Sequence, residues 1–402
     1  MVGDYVFDPF AEGYTDDPYP EYARLRAAGP IHEHPLGFWV LSRYDEVNAL
    51  LRSGLSVEER NLGPGPMREL SESVVGDRSE RMNGLSMLDR DPPDHTRLRR
   101  LVSKAFTPKA INGLEPAIVE LVDRALDGIA DAGQVDLVEA LAFPLPFAVI
   151  SQMLGMPESD HERLRELSGL VVRSLEPVAD PAMIEAIFKA DDELFAMTAE
   201  AVRWKRAHPA DDLLTALIRA EDDGDVLDDD ELVAQTLLLY LAGHETTVNL
   251  IGNGVLALLR HPDQLALLRT RPDLAGNAVE ELLRFDSPVQ MSRRITTASY
   301  DVAGRTVPAG SFVIASLGSA NRDPQFWGAD ADDLHVDRQA AHSHVSFGAG
   351  VHHCLGAALA RLEGRIAIGA LVARFPGLQL AGDVSWNGRI NLRGVETLPV
   401  AV

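Results

Sequence analysis

The sequence predicts a mainly α-helical protein with minor β structure, folded as a single large domain over residues 1–402. Helical apolar spacing dominates Ala117–Gly224 and continues over Asp228–Arg260, where about 30 residues would form one helix roughly 45 Å long. Val302–Ala315 and Leu378–Val402 alternate apolar and polar residues around turn residues, which is typical of strands. Because no Ser-, Gly- or Pro-rich linker divides the sequence, we expect one domain.

Short elements are predicted at the start of the chain. Ile31–His34 and Phe38–Leu41 have the composition of strands, and Arg43–Arg52 has the spacing of a helix that ends at a Ser-Gly pair. Asn61–Pro93 is rich in Gly, Pro, Ser and Met and shows no period, which predicts a long loop. Loops of this length within compact domains are usually functional.

Further elements follow in the order of the chain. Leu98–Phe106 and Leu274–Arg284 are predicted helices, and Leu355–Phe375 has apolar residues at three- and four-residue steps without a proline. The long helix opens with the acidic run Asp228–Glu231, which complements the helix dipole. Near the C-terminus, Asn387-Gly388 predicts a hairpin turn.

The composition excludes several classes of partner and location. A net charge of −24 argues against nucleic acid and against anionic membrane surfaces, both of which attract basic proteins. The N-terminal residues lack the pattern of a secretory signal, and no run of 18 apolar residues predicts a membrane anchor. With one cysteine in 402 residues, the reducing cytoplasm is the expected location, and we expect a monomer.

The single cysteine, Cys354, lies at or just before the first turn of the predicted C-terminal helix. The positive end of the helix dipole favours its thiolate form, which can act as a nucleophile or a metal ligand. The alternative is a buried structural thiol. Gly356 removes a side chain where a flat cofactor could lie against the helix.

The segment around this cysteine resembles the haem-binding loop of the cytochrome P450 family, in its soluble bacterial, actinobacterial-like class. The resemblance implies haem b with the Cys354 thiolate as the axial iron ligand. It also implies the family's α-rich, prism-shaped fold, with a long central helix over the haem and small β-sheet regions. The residues that match the family's loop are Phe347, Gly348, Gly350, His352, Cys354 and Gly356.

A second motif lies in the middle of the long helix. Ala242–Thr247 resembles the family's acid–alcohol motif, which implies an enzyme that uses O2 with externally supplied electrons. Neighbours on a helix point about 100° apart, so Thr246 would hydrogen-bond oxygen while Glu245 points towards solvent channels and relays protons. The alternative is a contact between helices through small residues such as Gly243. We interpret His244 as a packed bystander.

Four further residues match positions that hold the haem propionates in the family. His95 and Arg99 lie four residues apart, hence on one helix face, with Asp94 or Thr96 as the expected N-cap. The others are Arg294, for which the adjacent Arg293 is an alternative, and His352. For a single arginine, a surface ion pair is the other interpretation.

Glu281 and Arg284 form a Glu-x-x-Arg pair on one face of a predicted helix. They match the family's structural motif, and Arg338 matches the arginine that completes its buried network. This set is expected to hold the cysteine loop against the core.

One helix face after His95 is cationic. Arg97, Arg100 and Lys104 point away from the face of His95 and Arg99. With Lys109 and Arg361, this basic patch is our candidate for docking an acidic ferredoxin. A solvated face is the alternative.

The leading hypothesis is a haem-thiolate monooxygenase that inserts one atom of O2 into an apolar or amphipathic small molecule. Electrons would come from NAD(P)H through ferredoxin reductase and ferredoxin. The expected substrate pocket includes Ala242, Gly243, Val289, Met291 and Leu392. A polyketide, macrolide, terpenoid, steroid or fatty acid are all compatible with it.

Two other classes are alternatives, namely a metal-binding protein that is not an enzyme and a haem sensor or binding module. A zinc protein would use ligands from His342, His344, His352, His353 and Cys354, although their spacing is not that of a CxxC framework. A haem sensor would not need the Glu245–Thr246 pair.

Overall fold

A computed structural model describes residues 5–75, 85–156, 161–178, 180–222 and 224–402. The helices are Tyr19–Ala28 (α1), Tyr44–Arg52 (α2), Pro66–Val75 (α3), Asp94–Ala105 (α4), Pro108–Gly113 (α5), Glu115–Ala132 (α6), Pro144–Leu154 (α7), His161–Val171 (α8), Pro181–Ala207 (α9), Leu213–Ile218 (α10), Asp229–Arg260 (α11), Pro262–Thr270 (α12), Ala275–Phe285 (α13), Leu317–Ala320 (α14), Pro324–Trp327 (α15) and Ala357–Arg374 (α16). The mainly helical fold class is confirmed.

The strands are short. They are Ile31–Glu33 (β1), Phe38–Leu41 (β2), Gln134–Asp136 (β3), Glu221–Asp222 (β4), Asp225–Val226 (β5), Met291–Ile295 (β6), Tyr300–Val302 (β7), Arg305–Val307 (β8), Phe312–Ser316 (β9), Gln379–Leu380 (β10), Ser385–Trp386 (β11), Val395–Thr397 (β12) and Pro399–Ala401 (β13). One four-stranded sheet has the order β1-β2-β9-β6, and one three-stranded sheet has the order β10-β13-β3. The remaining strands of this set form two-stranded pairs.

The residues group into two compact units. Unit 1 comprises Met1–Leu55, Glu115–Pro146 and Glu245–Val402, and unit 2 comprises Ser56–Leu114 and Phe147–His244. Unit 1 therefore contains the larger sheets and α12–α16, and unit 2 contains α3–α5 and α8–α10. That the chain forms one domain stays a prediction.

Most predicted helices are confirmed within one or two residues, because their apolar faces repeat at helical spacing. The prediction for Asn61–Pro93 was partly wrong, since Pro66–Val75 is helical. Residues 76–84 of that segment, including Met82, lie outside the described residues. The helix at His95 begins at Asp94 after Pro93, so neither Asp94 nor Thr96 is its N-cap.

The strands predicted in Val302–Ala315 are confirmed. Tyr300–Val302 and Arg305–Val307 form a hairpin, whereas Phe312–Ser316 pairs with β2 and β6. At the C-terminus, Asn387-Gly388 is not a two-residue turn, because the Asn387 amide donates to Gly394 O across a longer loop.

A buried apolar cluster in unit 1 anchors the segment before Cys354. It joins α2 to the four-stranded sheet through Leu50, Leu51 and Val313. Val345 and Ala349 belong to the same cluster, with 3% and 4% of their surfaces exposed. Val345 and Ala349 are thereby fixed to the core, with Ala349 five residues before Cys354. Among the residues described, none of the helices has the length and apolar character needed to cross a lipid bilayer.

Candidate functional site

The Cys354 side chain is exposed at the end of a tight loop in unit 1. Its backbone amide donates to Phe347 O at 2.9 Å, which closes the loop. Gly356 occupies the N-cap position of α16, so the sulfur lies just before the helix, where the unsatisfied backbone amides and the dipole favour a thiolate. A Cβ atom at Gly356 would lie 3.9 Å from Cys354 Sγ, which shows that the missing side chain faces the sulfur.

Two glycines of this loop have backbone angles that favour glycine. Gly348 has φ +66° and Gly350 has φ +72°. At Gly350 the space is closed as well, because an added Cβ would lie 2.6 Å from the backbone oxygen of Leu51. At Gly348 the nearest atom would be 4.0 Å away.

Arg294 is buried in strand β6, with 4% of its surface exposed. Its guanidinium donates to Arg293 O at 2.6 Å and to Ser292 Oγ at 3.2 Å. The adjacent Arg293 is half-buried and points to the other face of the strand. This burial favours Arg294 over Arg293 for an interior anion. His352 is half-buried in a 3₁₀ turn that ends two residues before Cys354.

His95 and Arg99 lie one turn apart on α4, in unit 2. His95 is 2% exposed, and burial together with the charge of Arg99 holds its pKa below the ordinary value, although Asp91 opposes this. The imidazole is therefore neutral at neutral pH and retains one N–H donor. The haem-contacting role of these two residues stays a prediction.

The carboxylate of Glu245 on α11 forms an ion pair with Arg389 of the loop after β11. The Glu245 and Arg389 side chains are 14% and 11% exposed. That Glu245 points towards solvent channels stays a prediction. Arg389 was missed because it lies 144 residues away in sequence and belongs to no motif. Thr246, the next residue, is half-buried.

Two of the predicted pocket segments pair with each other. Val289 and Leu392 form an antiparallel bridge, and the Met291 amide donates to Asn391 Oδ1 at 3.0 Å. Leu392 is 4% exposed, and Val289 and Met291 are half-buried.

In unit 2, Ala242 is exposed, whereas a Cβ at Gly243 would lie 3.0 Å from Ile150 of α7. The helix-contact interpretation therefore accounts for Gly243.

Glu281, Arg284 and Arg338 form one buried network. The Glu281 and Arg284 side chains are fully buried and joined by two hydrogen bonds of 2.7 and 2.8 Å. Arg284 also donates to the carbonyls of Asn321, Ala331 and Asp333. Arg338 Nε donates to Glu281 Oε1 at 3.1 Å.

The predicted basic patch is smaller than the sequence suggested. Arg97 forms ion pairs with Asp225 and Glu231, so these carboxylates neutralise its charge. Arg361 is paired with Glu280.

Three cations of the predicted patch remain exposed, namely Arg100, Lys104 and Lys109. Within the described ranges, no group of three His, Cys, Asp or Glu side chains is placed to hold a metal ion, so the zinc alternative gains no support.

Comparisons with known proteins agree on one family. A family model described as Cytochrome P450 matches residues 61–271 and 273–381. Cytochrome P450 107B1 of Saccharopolyspora erythraea is 40% identical over 405 residues, which cover 97% of this chain and 96% of that protein. Vitamin D(3) 25-hydroxylase of Pseudonocardia autotrophica is 41% identical over 404 residues, with coverage of 98% and 96%. The crystal structure of myxobacterial CYP267B1 in complex with myristic acid has a TM-score of 0.89 at 38% identity and covers 98% of both chains.

Proposed function

The chain belongs to the cytochrome P450 family of haem b-dependent monooxygenases, and we propose that it hydroxylates or epoxidises an apolar or amphipathic small molecule. One observation carries the assignment of the reacting centre. The exposed thiol of Cys354 lies just before the N-terminus of α16, and the side-chain-free Gly356 faces it. A soft sulfur ligand beside an open glycine surface fits a flat iron porphyrin.

The cofactor, when bound through a thiolate, supplies the activation of O2. Cys354 would hold the iron, and the closed backbone of its loop fixes the direction of the sulfur. Arg294 and His352 of unit 1 are proposed to bind propionate through charge-assisted hydrogen bonds. For His95 and Arg99 of unit 2, contact with the haem is carried by the resemblance to the family alone. The burial of Arg294 supports this role, because a buried guanidinium is suited to an interior carboxylate.

Glu245 and Thr246 are the proposed proton-transfer pair. Arg389 holds the Glu245 carboxylate in one place within a site that is mostly closed to solvent. A carboxylate fixed in this way can accept a proton from the outer side of the helix and pass it inward, where Thr246 positions the receiving group.

The proposed substrate is a largely apolar molecule with few polar groups. Two relatives support this class, since one is named for vitamin D(3) and the other was crystallised with myristic acid. The paired segments at Val289–Met291 and Asn391–Leu392 are the proposed wall of the pocket.

Electrons are proposed to come from NAD(P)H through ferredoxin reductase and ferredoxin, in the cytoplasm. The exposed cations Arg100 and Lys104 are the proposed docking contacts for the acidic ferredoxin. Reversing both charges should slow reduction most at low salt, whereas reversing Lys189, which is 74% exposed on α9, should not. If the reversal at Arg100 and Lys104 slowed reduction no more than the reversal at Lys189, these two cations would not be the docking contacts.

The decisive experiment is the absorption spectrum of the reduced protein with carbon monoxide. A strongly red-shifted Soret band is expected for the wild type, because it reports thiolate ligation. Cys354→Ser should lose the shift, since no other cysteine can replace the ligand. Screening apolar compounds against the ferric protein then identifies the substrate class by displacement of the iron-bound water. A wild type without the red shift would refute the proposal.

A further inference from the structure

A cluster of three polar side chains lies behind the cysteine loop, in unit 1. Glu280 of α13 accepts two hydrogen bonds from the guanidinium of Arg361 on α16, at 2.6 and 3.0 Å. It also contacts His344 Nε2 at 3.1 Å. The His344 and Glu280 side chains are 1% and 14% exposed, and that of Arg361 is 36% exposed. The cluster thus runs from the surface into the core.

The protonation states in this cluster follow from its geometry. Burial opposes ionisation of Glu280, but hydrogen bonds from His344 and Arg361 outweigh it and lower the pKa of Glu280 to about 2. Burial lowers the pKa of His344, and Glu280 offsets this only in part. A neutral His344 then donates from Nε2 to Glu280 and accepts the Ser346 amide at Nδ1, at 3.1 Å.

The cluster contacts the cysteine loop through Phe347. The Arg361 guanidinium carbon lies 4.5 Å from the centre of the Phe347 ring, and the His344 ring lies 5.5 Å from it. Phe347 also packs against a buried apolar cluster of Leu250, Val279 and Leu283. Apolar and cationic contacts therefore fix this ring together.

The backbone of Phe347 acts directly on the cysteine. Phe347 O accepts the Cys354 amide at 2.9 Å, so a shift of Phe347 changes the orientation of the residue that carries the sulfur. Groups that orient a metal ligand affect metal affinity about 10–100-fold when they are removed.

We propose that Glu280, His344 and Arg361 are positioning residues that hold Phe347, and through it the Cys354 sulfur, in the geometry for iron ligation. The inference rests on the proposed function, because it concerns the same thiolate. Arg361 is the outermost member, so the position of the sulfur depends on a side chain that is more than one-third accessible at the surface.

The same helix supplies a matched control. Arg365 lies one turn after Arg361 and forms a 2.7 Å ion pair with Glu115, with side chains 44% and 46% exposed. If Arg361 were an ordinary surface ion pair, its removal would have the small effect expected at Arg365.

The test compares Arg361→Leu, Arg361→Lys and Arg365→Leu as haem-loaded proteins. Three properties are measured: the fraction of the reduced carbon monoxide complex with the red-shifted band, the rate of haem transfer to an acceptor protein, and the reduction potential. Arg361→Leu is expected to lose haem about tenfold faster, with a smaller red-shifted fraction. Arg361→Lys keeps the charge but not the planar face, so it should restore these values in part.

Arg365→Leu should match the wild type in all three measurements. The inference fails if Arg361→Leu and Arg365→Leu behave alike, or if Arg361→Leu changes only the free energy of unfolding and leaves spectrum and potential unaltered. A wild type without the red-shifted band would instead overturn the proposed function, so the two failures are distinct. Should Arg361→Leu not fold, the comparison of Arg361→Lys with Arg365→Leu decides the inference by the same three measurements.

Discussion

Glu280 and Glu281 are adjacent on α13, yet they hold arginines in two different regions of unit 1. Glu281 binds Arg284 and Arg338, and its side chain is fully buried. Glu280 binds Arg361 and His344 beside the cysteine loop, and its side chain is 14% exposed. Neighbouring helical residues point about 100° apart, which directs the two carboxylates to separate partners.

The difference lies in what each network supports. Arg284 donates to three main-chain carbonyls of the segment from Asn321 to Asp333, so the Glu281 network holds backbone that has no regular structure of its own over much of its length. The Glu280 network instead reaches the ring of Phe347, whose carbonyl accepts the Cys354 amide. The Glu281 network therefore stabilises the backbone, whereas the proposed role of the Glu280 network is to orient Cys354, the proposed iron ligand.

The largest expected effect is at Arg284. Arg284→Ala removes one partner of a fully buried ion pair and leaves the Glu281 carboxylate without two of its hydrogen bonds, which should lower the free energy of unfolding by about 3–5 kcal/mol. Haem content after expression should fall with it. Chemical denaturation and absorbance measure both quantities.

The control for Arg284 is Arg271→Ala, which breaks the ion pair with Asp273 in which both side chains are more than half exposed. Because both groups are solvated, this change should leave the free energy of unfolding close to that of the wild type. A purified Arg284→Ala protein with full haem and wild-type stability would contradict the structural role of the network.

The elements predicted correctly are those that depend on residues close together in the sequence. The helices α11, α13 and α16 follow from apolar residues at helical spacing, and Glu281 and Arg284 follow from a spacing of three residues on one face. Cys354 and its glycines could be identified because the loop is continuous in sequence.

Contacts between distant segments could not be predicted in this way. Strand β9 pairs in parallel with β2, which lies more than 250 residues earlier, and no turn signal encodes this partner. Arg389 and Glu245 meet only because the C-terminal loop returns to α11. Glu280 stood beside a recognised motif, but only the fold shows that His344 and Arg361 are its partners.

The second effect distinguishes two glycines within the cysteine loop. Gly350→Ala should lower the free energy of unfolding by about 3 kcal/mol. About 1–2 kcal/mol of this comes from the φ of +72°, and a similar amount comes from the close approach of the new Cβ to Leu51 O. Gly348→Ala should lower it only by the cost of the positive φ, since the atom nearest to a Cβ at Gly348 is 4.0 Å away. Equal costs, measured by denaturation, would show that the contact with Leu51 does not constrain the loop.

The third expected effect depends on pH and concerns Glu280. The pKa of its carboxyl is lowered to about 2 from the ordinary 4.5, so the carboxylate stabilises the folded state fully above pH 4.5 and loses this contribution as pH falls towards 2. Glu280→Gln should therefore be less stable than the wild type by about 2 kcal/mol at pH 7, after allowance for solvent screening at a partly exposed group.

The gap between Glu280→Gln and the wild type should narrow once pH falls below 4.5. Burial lowers the pKa of His344, so this residue makes the folded state less stable as pH falls below 6.5 in both proteins. Because Glu280 raises the pKa of His344, the gap reports the coupled Glu280–His344 pair, which also faces the charges of Arg361 and Arg284. If the difference in free energy of unfolding between the two proteins stayed constant from pH 7 to below 4.5, the charge of Glu280 would not contribute to stability. Glu280 would then hold its partners through shape and hydrogen bonding alone, as the neutral main-chain carbonyls hold Arg284.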